Sequence, residues 1–401
     1  MANAADEIYY DPYDFEIDAD PHPVWRRMRE EAPLYRNDRY DFWALSRFDD
    51  VEAGLQDWRT YSSAKGTLLE LVKSGWQPPA GVFIFEDPPL HDVHRKLLSR
   101  VFTPRRMSAI EPQIRSFCAR SLDPLVGSGG FDFVADLGSQ MPMRVIGMLL
   151  GIPEEDQEAI RDGVDESLKL KDGEAPPKPD DSRSMRAFGQ DAFAEYIAWR
   201  REHPTDDLMT ELLNTTFEDD DGKERCLRDD ELLGYIGLLA GAGNETTTRL
   251  IGWTGYLLGE HADQRVRVVR DRSLIANTIE EVLRFEAPSP VQARYVTCDV
   301  EHHGTRVPEG SVLLFINGSA NRDARRYADA DRFDVGRKDT HHLSFGTGLH
   351  FCMGAGLARL EGIVALDEVL KRWPDWQIDH DHAKRAHTST VRGWERLPVL
   401  V

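Results

Sequence analysis

The chain of 401 residues is 41% hydrophobic and carries 70 acidic against 49 basic residues, a formal charge of -21 at pH 7. That length suffices for a large core, and the charge argues against general nucleic-acid binding or adhesion to a membrane through a polybasic surface. Cys118, Cys226, Cys298 and Cys352 lie too far apart for a zinc or disulfide framework, which points to a reducing, cytoplasmic setting.

Residues 1–20 carry Asp6, Glu7, Asp11 and Asp14 with no basic side chain, so no secretion signal is expected. A short helix is expected between Pro21 and Pro33, then a strand within Tyr40 to Leu45. From Gly66 to Phe85 apolar residues alternate with breakers around Gly75-Trp76-Gln77-Pro78-Pro79. That segment reads either as irregular core surface or as a loop whose side chains line a pocket. Asp87-Pro88-Pro89 precedes a helix from Leu90 to Val101. Beyond Gly151-Ile152-Pro153 a helix carries Ile160, Val164 and Leu168, and a polar Pro/Gly stretch follows from Lys171.

After Arg228 comes the clearest long helix, with Asp229, Asp230 and Glu231 in its first turn and Leu232, Leu233, Ile236 and Leu239 on an apolar face. Gly241 and Gly243 interrupt that apolar face, which points to close backbone approach, a local distortion or a tight helix crossing. Asn244, Glu245, three threonines and Arg249 make this segment unsuited to lipid, so no membrane anchor is expected. Helices are also expected over Ser273 to Phe285 and Gly354 to Trp373, with strands at Tyr295-Val296-Thr297 and Val312 to Ile316. The fold class is mainly α with small β-sheets, without the strand–helix alternation of a doubly wound sheet.

Chemistry is most visible in Phe345-Gly346-Thr347-Gly348-Leu349-His350-Phe351-Cys352-Met353-Gly354-Ala355-Gly356. Glycines on both sides of Cys352 let the backbone approach a flat or charged ligand and aim amides at the sulfur, and a helix start beyond it favours a thiolate. Cys352 is therefore a candidate metal ligand or nucleophile. The segment lacks the Gly-Lys-Ser/Thr ending of a phosphate loop and the strand and ribose acid of a dinucleotide site.

The order of phenylalanine, glycines, histidine and cysteine resembles the haem-binding loop of the cytochrome P-450 monooxygenases, soluble bacterial type. The resemblance extends to Ala242-Gly243-Asn244-Glu245-Thr246-Thr247, to Glu281-Val282-Leu283-Arg284, to Asp87-Pro88-Pro89-Leu90-His91 with Arg95, and to Ala320-Asn321-Arg322-Asp323. It implies one haem domain over residues 1–401, the haem-thiolate fold, and one non-covalent heme b per chain with Cys352 as the iron ligand. Thiolate donation favours O–O cleavage at haem iron. Phe345 would shield the ligand, and the amides around Gly354 would restrain the sulfur.

By the same resemblance His91, Arg95, Arg294 and His350 anchor the haem propionates. Glu245 and Thr246 form a catalytic acid–alcohol pair that delivers protons on the distal side. Glu281 and Arg284, completed by Arg332, form a structural ion-pair cluster. Residues 66–86 become the variable substrate-facing loop, with Leu69, Val72, Val82, Phe83 and Phe85 toward a lipophilic small molecule, and residues 171–182 a lid.

The implied reaction inserts one atom of molecular oxygen into the substrate, usually as hydroxylation. Electrons would come from a ferredoxin and an NAD(P)H-dependent ferredoxin reductase, because the resemblance fills the chain and leaves no flavin domain. Lys96, Arg100, Arg105 and Arg106 are compatible with docking an acidic redox protein. A haem sensor, a peroxide-dependent peroxygenase and a Cys352 hydrolase are the competing readings.

Overall fold

One helix organises the rest of the molecule. In the computed structural model, which describes residues 7–78, 81–99, 101–168, 170, 190–219 and 222–401, the central helix Asp229–Glu260 runs for 32 residues, about 48 Å at 1.5 Å per residue. Its first turn holds the three acids, and the Glu231 carboxylate accepts a hydrogen bond from the Arg228 amide at 2.8 Å. The helix runs unbroken through Gly241 and Gly243. Of the readings open for these glycines the tight crossing holds at Gly243, where a Cβ would sit 2.9 Å from Ile146 Cδ1 on the helix Met141–Leu150.

The helix Ala355–Arg372, which follows Cys352, packs on the central helix and buries Leu357, Val364, Leu366 and Val369. Ile275–Phe285 packs on both. The largest apolar cluster runs through this junction and includes Phe133, Trp253, Leu257, Val282 and Trp376. The helices expected near Pro21, at Leu90 and beyond Pro153 are His22–Glu31, Leu90–Ser99 and Glu154–Leu168.

Strands are short and subordinate, as the sequence pattern implies. The largest sheet has the order Leu34–Asn37, Phe42–Leu45, Val312–Phe315, Gln292–Val296, Tyr61–Ser62. Its one parallel pair joins Val312–Phe315 to Phe42–Leu45, so segments far apart in the sequence share a sheet. Gln292–Val296 runs antiparallel to Val312–Phe315, pairing Arg294 with Leu313. Segment 66–86 is more regular than a loop: it contains the helix Leu69–Ser74, ended by Gly75 at φ 71°, and a turn of tighter helix at Phe83–Phe85. The expected lid at 171–182 lies outside the described residues, and among those described no helix is long and apolar enough to cross a membrane.

Glu281 and Arg284 are fully buried and joined by two hydrogen bonds of 2.7 and 2.8 Å. The expected third member requires a correction. Arg332 is exposed and contributes its carbonyl, whereas the side chain that completes the cluster is Arg337, whose Nε reaches Glu281 at 3.0 Å. Arg284 also donates to the carbonyls of Asn321 and Ala330. Asn321 in turn accepts from the Leu343 amide through its side chain, so the cluster fixes the approach to the cysteine loop.

Candidate functional site

The cysteine loop folds back on itself, with the Cys352 amide donating to the Phe345 carbonyl at 2.8 Å. Gly348 has a φ of 68°, and a Cβ there would sit 3.0 Å from Gln56 Cα, so the turn needs glycine both for its conformation and for its neighbour. Burial pushes the Cys352 thiol up, while the amides of Gly354 and Ala355 and the charges of Arg95 and Arg359 oppose that shift. Amides aimed at the sulfur from a helix start are the arrangement that suits a thiolate ligand. Phe345 lies beneath the loop with the Arg359 guanidinium 4.6 Å from its ring centre.

Cys352 opens into a large, mainly apolar cavity between the central helix, the cysteine loop and the strand Gln292–Val296. Thr246, Ala242, Gly243, Leu238 and Leu239 line it from the central helix, and Phe83 and Ile84 from the 66–86 segment. At its rim the polar side chains converge. The His91 and His350 rings meet at 4.6 Å between centres. His91 Nε2 and both ring nitrogens of His350 are buried without a partner. Arg294 is 5% exposed and spends a single bond on the Ala293 carbonyl, and Arg95 donates to the Phe351 carbonyl at 2.6 Å.

Burial pushes Arg294 down to about 10. Burial, together with the neighbouring Arg294, His91 and Arg95, pushes His350 down to about 2. Buried donors without acceptors are costly, and neither arginine has an ion-pair partner among the described residues. The rim therefore fits a ligand carrying carboxylates. Among the described residues no cluster of three or more His, Cys, Asp or Glu is placed to hold a metal ion, so a metal at Cys352 would take its other ligands from a cofactor. A haem meets both demands, with iron at the sulfur and propionates at the rim.

The two members of the expected acid–alcohol pair part company. Thr246 lines the cavity, and its hydroxyl donates to the Ala242 carbonyl at 2.8 Å, one turn back. Glu245 is buried away from the lining, and its carboxylate pairs with Arg249 at 2.6 Å. The carboxyl that does face the cavity is Glu361, which sequence reasoning missed. It sits one turn beyond Leu357 on an otherwise apolar stripe, and a charge in such a stripe was the available signal.

Glu361 Oε1 has no partner, and burial pushes the carboxyl up to about 8, with the Thr247 hydroxyl opposing in part. The folded protein thus holds a proton that the unfolded chain releases between about pH 4.5 and 8, so this group makes stability fall as pH rises through that window. Glu361→Gln is expected to flatten that part of the pH dependence. Thermal unfolding of both holoproteins across the window checks it, and equal slopes would count against the assignment.

Of the expected substrate-facing residues, only Phe83 reaches this cavity. Leu69 borders a neighbouring one, and Val72, Val82 and Phe85 pack into the apolar clusters, Phe85 against Trp76 at 5.0 Å. Apolar content alone did not tell which side chains of the segment turn inward, so Ile84 and the residues of the central helix were missed.

A family model described as cytochrome P450 matches residues 177–392. Cytochrome P450 123 of Mycobacterium tuberculosis is 39% identical over 400 residues, 98% of this chain and 97% of that protein. The 6-deoxyerythronolide B hydroxylase of Saccharopolyspora erythraea is 35% identical over 406 residues, 96% of this chain and 98% of that one. A solved structure of a mutant of P450 EryK in complex with erythromycin B superimposes with a TM-score of 0.86 at 33% identity, covering 96% of each chain.

Proposed function

The chain belongs to the cytochrome P450 family, and from that premise we propose that it inserts one atom of molecular oxygen into a lipophilic small organic substrate, usually by hydroxylation. The observation that carries this reading is the single cavity in which a cysteine sulfur with amides aimed at it faces a rim of two arginines without a counter-charge and buried histidine nitrogens without a partner. One heme b per chain would be held by Cys352 at the iron and by His91, Arg95, Arg294 and His350 at the propionates. When bound, it supplies the redox-active iron at which oxygen is reduced.

The chain's own groups then exclude water and handle protons. Leu238, Leu239, Phe83 and Ile84 give the substrate an apolar wall. Because the Thr246 hydroxyl spends its proton on Ala242, its lone pairs remain to accept from a donor in the cavity. Glu361 holds a proton near neutral pH within the same lining. Glu245 contributes once Arg249 turns away from it.

Electrons would arrive from a ferredoxin served by an NAD(P)H-dependent reductase. Phe351, next to the ligand, is 41% exposed, and Lys96, Arg105 and Arg106 are exposed on the neighbouring elements, with Arg106 paired to Glu211. Arg100 of the expected basic run lies outside the described residues. A chain that works as one haem domain in the cytoplasm completes the proposal.

The test is to reduce the purified protein with dithionite under carbon monoxide. The red-shifted band of thiolate-ligated haem is expected, and protein that takes up no haem would sink the reading. Product formed with the redox partners but not with peroxide would separate a monooxygenase from a peroxygenase, while a sensor would form none.

A further inference from the structure

A second cavity lies behind the strand that walls the first. It is bounded by the N-terminal segment from Tyr10 to Trp25, by Leu68 to Glu70, and by the turn from Thr388 to Arg392. Val291 and Ala293 border this second cavity, whereas Gln292 and Arg294 border the one at Cys352. Alternate residues of a strand face opposite ways, so the partition is one strand thick. Thr67 borders both cavities, and its carbonyl accepts from the Ala293 amide at 2.8 Å, which ties it to the partition.

The charged residues of this second lining are Asp11, Asp18, Glu70 and Arg392. Asp11 is matched by Arg39 at 3.4 Å and by the Tyr9 hydroxyl at 2.9 Å. Asp18 is matched by His387 at 3.0 Å, and Arg392 by Glu286. Glu70 differs. Its Oε2 accepts from the Tyr13 hydroxyl at 3.0 Å and Ser389 is a second hydroxyl neighbour, yet it forms no ion pair with a cationic side chain among the described residues. Burial pushes its carboxyl up, as expected for an acid without a counter-charge.

The surrounding wall is aromatic: Tyr10, Tyr13 and Trp25. Trp25 is only 3% exposed, and its indole N–H has no acceptor in hydrogen-bonding geometry. A carboxylate without a counter-charge among aromatic rings is the setting that binds an organic ammonium group, through charge and through the ring faces.

We propose that this second cavity binds a lipophilic amine whose protonated nitrogen pairs with Glu70 against Tyr10, Tyr13 and Trp25. The charge pairing at Glu70 does not depend on the monooxygenase reading. Its two partners on the chain, Tyr13 and Ser389, can hydrogen-bond an amide as well as a carboxylate, so Glu70→Gln removes the charge and keeps the local contacts.

The experiment compares two probes by calorimetry on the holoprotein: phenylbutyl-trimethylammonium and its uncharged isostere with carbon in place of nitrogen. The ammonium is expected to bind about tenfold tighter than the isostere to the wild type. Glu70→Gln should cut that preference to about threefold, the part left to the ring faces, with an unchanged thermal midpoint, and Glu70→Asp should restore part of it. Equal affinity of the two probes for the wild type, or a preference undiminished in Glu70→Gln, would overturn the proposal. The carbon monoxide spectrum of the same samples keeps the two ideas apart: loss of the thiolate band would strike at the haem reading and leave the probe comparison valid.

Discussion

Cys352→Ala is expected to erase the thiolate-haem signature completely and with it all reductase-supported product formation. Alanine offers no lone pair to iron, and no other cysteine can take over. Cys118 is buried in the core, where desolvation pushes its thiol up to about 12, and Cys226 and Cys298 are exposed outside the cavity lining. The rim of His91, Arg95, Arg294 and His350 is untouched by the change, so part of the haem should remain bound with a spectrum lacking the thiolate band. Haem content and the carbon monoxide spectrum, measured together, separate loss of the ligand from loss of the pocket. Alanine variants of the other three cysteines should keep the band, and a Cys352→Ala protein that also kept it would reject the assignment.

Arg284→Ala is expected to cost about 3–5 kcal/mol, the range for breaking a buried ion pair by removing one partner. Both side chains are fully buried, so the stranded Glu281 carboxylate cannot turn to water. Arg337 retains its hold on Glu281 and offsets part of the loss, but the carbonyls of Asn321 and Ala330 lose their donor. A domain is stable by only about 5–15 kcal/mol, so the yield of folded holoprotein should drop sharply. Arg284→Lys should recover little, because an ammonium cannot reproduce the two-pronged contact with Glu281. Chemical denaturation of purified protein checks this, and wild-type stability in the alanine variant would refute the structural role.

Much of the architecture was legible because it follows from local rules. Acids in the first turn after Arg228, an apolar face repeating through Leu239 and the glycines around Cys352 each specify their own backbone. That His91, Arg95, Arg294 and His350 belong to one rim was suggested only by resemblance, since nothing local joins His91 to Arg294. Where the outcome depended on which way a side chain turns, the sequence was silent. Arg332 and Arg337 are equally plausible partners for Glu281 until the chain turns at Asp329 and Asp334. Glu361 looks like an ordinary helix charge until the helix face it occupies is known to line a cavity. The glycines of the central helix signalled a close neighbour correctly, but a helix supported on both sides tolerates them without a break.

The His91 and His350 rings touch although more than half of the chain separates them, and the largest sheet likewise pairs Val312–Phe315 with Phe42–Leu45. During synthesis the N-terminal portion emerges first, so His91 and Arg95 wait for the last part of the chain before a binding site exists. Closing so long a loop is entropically unfavourable until the non-local contacts form. Cofactor loading would thereby be a post-translational event, and a ribosome-bound chain stopped before Phe345 would hold His91, Arg95 and Arg294, three of the four rim residues, and none of the ligand loop.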